Sequence, residues 1–235
     1  METKVYAEPW KRQRILKKQD IPTQEQLYNL CITTFDTLEE QALFAMAYLT
    51  AGRITEIVPC KYLKVNEYET HKSRDKKGRM RSVIKRNVNG SPFIKGYKKV
   101  KHDYQGILAQ NITFETKKNT KIMVLSIQNR KNKSINRKNL PIPVEKEQKW
   151  VRIIKKYIAG MAPETPLFKF KRSKAEKILA KADMNPHFLR DIRLTHLVTI
   201  YDFGSHHLTK FAGWKDPRPA ERYVRLNIGD LVDKY

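Results

Sequence analysis

Apolar residues first recur at helical spacing after Thr23, where Leu27, Leu30 and Cys31 share one face, and the pattern predicts a helix over residues 23–35. Thr23 followed three residues later by Gln26 has the form of a capping box. A second helix is expected from Thr37, with a broad stripe of Leu38, Ala42, Leu43, Ala45, Met46 and Leu49 that marks it as buried. It should stop at Ala51-Gly52, and a short helical piece, residues 54–58, should be closed by Pro59. Residues 64–105 lose this periodicity. From residue 111 the period becomes two, so residues 112–115, 122–127 and 139–144 read as strands of a small antiparallel sheet. Helices resume at 144–160 and 173–184, and Pro186 reads as the first residue of another. Three short helices should follow, in the segments beginning at Ser205, Pro217 and Ile228. The expected class is α+β, mainly helical, with one small antiparallel β-sheet. Residues 1–22 form a basic arm and residues 23–235 one domain, interrupted by the basic insertion at about 64–105.

Charge narrows the function. The 235 residues carry 48 Lys and Arg against 24 Asp and Glu, a net charge of +24. Such a chain repels itself unless a polyanion shares the charge, and nucleic acid is the usual one. An anionic membrane competes with that reading, but no run of about 20 apolar residues and no apolar leader segment is present. A protein that merely coats RNA is compatible with charge alone. Residues 64–105 hold thirteen Lys and Arg against four acids, a net +9, together with Tyr68, Tyr97 and Tyr104. That segment reads either as a solvated loop or as a DNA-binding excursion. Cys31 and Cys60 lie far apart and the histidines lack metal-ligand spacing, so neither a disulfide nor a bound metal is expected, and a reduced, cytoplasmic setting fits.

The chemistry concentrates in the last third. The segment HFLR sets His187 and Arg190 at i and i+3, on one face near the positive end of a new helix, where a phosphate would sit well. In Ala212-Gly213-Trp214 the tryptophan lies 24 residues after Arg190, and Tyr223 comes nine residues after Trp214. Earlier in the chain, TAGRITEI places Arg53 directly after the buried second helix, with Glu56 three residues on. These motifs, in this order, resemble the signature of the tyrosine recombinases, the phage-type integrase family, over roughly residues 23–232.

The resemblance implies a catalytic domain that cuts DNA with a tyrosine hydroxyl, holds the strand end as a 3′-phosphotyrosine and rejoins it without metal, nucleotide or other cofactor. Tyr223 would be the nucleophile. Arg53 and Arg190 would clamp the non-bridging oxygens of the scissile phosphate, Glu56 would orient Arg53, and His187 would assist proton transfer or hold the phosphate. Trp214 would donate a hydrogen bond and pack behind the tyrosine. The family carries its general acid, a lysine, on a β-hairpin; Lys131 is the first choice here and Lys133 the reserve. Such a mechanism suits the residue types: a phenol with a pKa near ~10 needs positive charge beside it, and arginine forks can stabilise the charge of a pentavalent phosphorus.

The expected partner is double-stranded DNA, with a homo-oligomer assembled on it because exchange needs four cleavages, and with no membrane. The setting would be the cytoplasm, at a nucleoid or in a virus-infected host cell. The chain departs from the family in two places: Asp191 follows Arg190 where His is common, and only an arm precedes the first helix where members carry a clamp domain. A type IB topoisomerase and a DNA-binding protein with an idle catalytic set remain as alternatives. Ile228, Leu231 and Val232 could dock a final helix on a neighbouring protomer or on this one.

Overall fold

The computed structural model describes residues 21–75, 78–88, 90, 92–129 and 136–224. The arm at 1–20, the hairpin tip with Lys131 and Lys133, and the segment after 224 with Ile228, Leu231 and Val232 lie outside the described residues.

Helix α1 spans Gln24–Thr34, and its start follows from the capping box: the Gln26 amide donates to Thr23 Oγ1 at 3.2 Å while the Thr23 amide donates to Gln26 Oε1 at 2.8 Å. Helix α2 spans Leu38–Thr50 and is buried at every position from Ala42 onward. It ends where Ala51 turns left-handed, at φ 43°. Helix α3, Ile54–Ile57, follows at once. Strands β1 (Cys60–Tyr68) and β4 (Ile94–Tyr104) pair antiparallel, as do β2 (Thr70–Arg74) and β3 (Met80–Ile84). A three-stranded antiparallel sheet follows, in the order β5 (Ile112–Lys117), β6 (Thr120–Asn129), β7 (Asn136–Pro143). Helices α4 (Gln148–Ile158), α5 (Arg172–Ala180), α6 (Pro186–Thr199), α7 (Ser205–Ala212) and α8 (Arg218–Val224) complete the described chain.

The class is α+β, but the expectation of a mainly helical chain with one small sheet needs correction. Residues 64–105 are not a break in secondary structure; they supply most of two further ribbons. Their strands escaped the sequence pattern because alternation shows only when one face of a strand is buried, and here Tyr62, Met80, Val83, Ile94 and Tyr97 are all exposed. The two ribbons are joined by backbone bonds, with the amide of Lys85 donating to Glu69 O and that of Glu69 to Phe93 O. At the base, the Tyr104 hydroxyl donates to the Glu56 carbonyl at 2.8 Å and the Ile107 amide to the Ile57 carbonyl at 3.1 Å. Gly106, at φ 85°, makes this approach possible, since a Cβ there would lie 2.8 Å from the Ile57 carbonyl oxygen. The excursion is thus rooted on α3.

The core centres on α2, which packs against α4 and α6. Trp150 of α4 is buried between Phe44 and Tyr48 of α2, with ring centroids 6.0 and 5.0 Å away. A rim of this core is polar. Fully buried Arg193 on α6 pairs with Glu147, just before α4, and its guanidinium also donates to Tyr48 Oη at 3.4 Å. The Tyr201 hydroxyl donates to Glu147 Oε1 at 2.6 Å. Removing one partner from such a pair strands a buried charge, at a cost of about 3–5 kcal/mol. The helix predicted over 144–160 begins only at Gln148, because the chain turns through Val144–Glu147 to bring Glu147 to Arg193.

His196 completes the rim. Its Nε2 faces the Pro22 carbonyl at 2.9 Å, which can only accept, so Nε2 carries the proton and Nδ1 takes the bond from the Tyr48 hydroxyl at 2.8 Å. Burial, helped by Arg193 and opposed by the Pro22 bond, pushes the imidazole pKa down to about 4. The unfolded chain therefore binds this proton first. Stability should be complete above the ordinary histidine value of 6.5 and be lost as pH falls toward about 4, by roughly 3 kcal/mol at most. Urea unfolding of the unaltered chain and of His196→Gln at pH 7, 5.5 and 4.5 checks this. The variant should lose less stability across that window, and an equal loss in both would assign the acid sensitivity elsewhere.

Candidate active site

Two helix ends build the site. An α-helix leaves its last carbonyls without intrahelical donors and concentrates negative potential there. α2 ends at left-handed Ala51 and α7 at left-handed Gly213, φ 68°, and both ends face Arg190. The Arg190 guanidinium donates to the Ala51 carbonyl and, at 3.5 Å, to the Ala212 carbonyl. Lys138 on β7 donates to the neighbouring Phe211 carbonyl at 3.2 Å. Cations from α6 and from the sheet are thus drawn to one place by the ends of α2 and α7.

Arg53 arrives from the other side. It caps α3, its amide donating to Glu56 Oε2 at 2.9 Å and its Nη1 to Glu56 Oε1 at 3.0 Å, with Glu56 fully buried beneath. Its side chain keeps 29% of its surface exposed, so the carboxylate fixes Arg53 without covering it. A Cβ at Gly52 would meet Thr50 Oγ1 at 2.7 Å, so a side chain there would displace the hydroxyl that accepts the Gly52 amide.

The positive groups crowd one another. Burial first, and then the charge of Arg53, depress the Arg190 pKa. Burial, opposed by Glu56 and reinforced by Arg190 and Arg53, pushes the Lys138 ammonium down to about 8. Three cations held together against two carboxylates, Glu56 and Asp191, leave a net positive charge that favours the arrival of an anion.

The aromatic pair closes the site. Arg190 lies over the Trp214 ring, 5.4 Å from its centroid, and the Tyr223 ring from α8 stacks on Trp214 at 6.0 Å and 17°. Tyr223 is buried, and its hydroxyl donates to Asp191 Oδ1 at 2.5 Å. Burial and then Asp191 raise the phenol's pKa, against the pull of Arg222 and Arg190.

Of the residues singled out in the sequence, the structure brings together Arg53, Glu56, Arg190, Trp214 and Tyr223. His187 sits exposed on the first turn of α6, one turn before Arg190, and its side chain makes no hydrogen bond among the described residues. Lys131 and Lys133 are outside the described residues. Two participants were missed. Lys138 had a signal: it lies two and four residues before buried Leu140 and Ile142, on the same face of β7, and opposite buried Ile127. Asp191 stood out in sequence only as an unusual neighbour of Arg190, and nothing there showed that it meets Tyr223. Among the described residues no three His, Cys, Asp or Glu side chains gather as a metal site, and no helix is long and apolar enough to cross a membrane.

No family model matches the chain, and no curated protein is similar to it in sequence. Among solved structures, the XerH site-specific recombinase bound to its difH substrate in a pre-cleavage complex superposes on 90% of this chain with a TM-score of 0.46 and 11% identity. The chain spans about half of that protein's length, 52%. A likeness of that degree assigns no function.

Proposed function

We propose that this chain is a site-specific DNA recombinase or integrase, which cuts and rejoins double-stranded DNA through a 3′-phosphotyrosine on Tyr223 while assembled as an oligomer on its target. One observation carries the reading: the cations Arg53, Lys138 and Arg190, drawn from the start of α3, from β7 and from α6, meet as an anion-seeking cluster beside Trp214 and buried Tyr223. The arginine forks would hold the scissile phosphate and stabilise charge at phosphorus, a task that needs no metal. Tyr223 would attack, and a lysine would protonate the departing 5′ oxygen. Lys138 suits that role, because a general acid works best with a pKa near the working pH, and its own lies at about 8. Lys131 and Lys133, which lie outside the described residues, remain candidates for the same task, and His187 would reach the phosphate from the first turn of α6.

Supercoiled plasmids in EDTA test the reading. Recombinant circles or inserted DNA, together with a covalent protein–DNA adduct, are expected. Relaxation alone would favour a type IB topoisomerase, and retention without an adduct would favour a binding protein.

The ribbons supply a second grip on the duplex, outside the site. A two-stranded ribbon fits the major groove, and the net charge of +9 over residues 64–105 suits binding to phosphates. Replacing residues 69–93 by a short Gly/Ser bridge between β1 and β4 should make the slope of log affinity against log salt shallower by about 0.9 for each phosphate no longer neutralised. Cleavage at saturating DNA should persist. An unchanged slope in a salt titration would leave the β2–β3 ribbon without a role in binding.

A further inference from the structure

We propose that Asp191 is the general base of strand cleavage, taking the Tyr223 hydroxyl proton on Oδ1 as Oη attacks the scissile phosphorus. The inference rests on the reading of Tyr223 as nucleophile. A base must lie within hydrogen-bond reach of the proton it removes, and the Tyr223 hydroxyl already donates to Asp191 at 2.5 Å. Both partners are held in place. The tyrosine ring is stacked on Trp214, and Asp191 occupies the second turn of α6, where its own carbonyl accepts from Thr195 Oγ1 at 3.0 Å. The other carboxylate of the site, Glu56, is occupied by the amide and guanidinium of Arg53.

Asp191 is also the residue after Arg190, so one short stretch of α6 would deliver both the clamp on the phosphate and the acceptor for the nucleophile's proton. The charged groups around the phenol are Asp191 and Arg190 from α6 and Arg222 from α8. Their balance, with burial, keeps the phenol protonated at neutral pH, so its proton must leave during attack and not before. In the forward step the bond from Tyr223 Oη to phosphorus forms and the bond from phosphorus to the 5′ oxygen breaks. The phenolic proton passes to Asp191, and the 5′ oxygen takes a proton from the lysine. Religation returns each proton along the same path.

The test uses the full chain and a pool of nicked duplexes randomised around the nick; cleaved sequences are then remade with either oxygen or sulfur at the 5′ bridging position. Sulfur leaves without protonation, so it bypasses the general acid but not the base. Asp191→Asn should slow adduct formation about 100-fold or more with both leaving groups, while DNA affinity is kept. With sulfur, which needs no proton from the lysine, its rate should climb about tenfold per pH unit as the phenol is ionised by solvent, a slope that the unaltered chain should lack. Asp191→Glu should recover at least part of the rate. Lys138→Ala, by contrast, should be slow with oxygen and restored by sulfur.

Asn at 191 acting as fast as Asp, or faster, would overturn the proposal, the latter marking the carboxylate as a latch on the tyrosine. A slow Asn variant whose pH profile matches the unaltered chain and which Glu does not rescue would reduce Asp191 to a structural role and equally overturn it. If the unaltered chain forms no adduct, or the adduct survives Tyr223→Phe, the nucleophile reading itself fails and this proposal with it.

Discussion

Tyr223→Phe should abolish the covalent protein–DNA adduct, reducing it below detection on a denaturing gel while the unaltered chain forms it in EDTA. The substitution removes the hydroxyl proposed to attack and leaves the ring able to stack on Trp214, so the fold should survive. Losing the bond to Asp191 should change stability by only about 1 kcal/mol, which a thermal melt can confirm. Any remaining adduct would have to use another nucleophile. Tyr201 is unsuited to that part, since its hydroxyl is committed to buried Glu147. An adduct that forms in the Phe variant, or that the unaltered chain forms only with Mg²⁺, would sink the mechanism.

Changing either arginine of the cluster to Ala should lower cleavage by about three orders of magnitude or more, with a much smaller effect on DNA affinity, because the forks act chiefly on charge that develops at phosphorus. The two variants should differ in stability. Arg53 is partly exposed and held by Glu56, whereas Arg190 is buried and supplies donors to the ends of both α2 and α7. Arg190→Ala strips those carbonyls and should destabilise the fold by about 2–4 kcal/mol. Arg190→Lys separates the two effects: the charge stays and part of the stability returns, but the two-pronged grip does not, so cleavage should stay low. Single-turnover cleavage at saturating DNA, with urea unfolding in parallel, checks both; normal cleavage by both Ala variants would show that the cluster is not a phosphate clamp.

Much of the helical frame could be read from the chain. The capping box at Thr23 and Gln26, the stripe of α2 and Pro186 at the start of α6 are local signals, each decided by neighbours within a few residues. The strands around Ile122–Ile127 and Leu140–Ile142 were legible for the same reason, since one of their faces is buried and alternation results. The ribbons of residues 60–104 were not, because neither face is covered and no periodicity is imposed on their residues.

The chain alone showed the candidate site residues in separate pieces: Arg53 after a buried helix, Arg190 one turn past His187, and Tyr223 nine residues beyond Trp214. It took the folded chain to place Lys138 at the end of α7, Arg190 between the ends of α2 and α7, and the Tyr223 hydroxyl on Asp191. The physical reason is distance along the chain. Spacing and capping act through a few consecutive residues, whereas a buried charge is placed by whichever carbonyls and carboxylates the packing of remote helices leaves within about 3 Å of it.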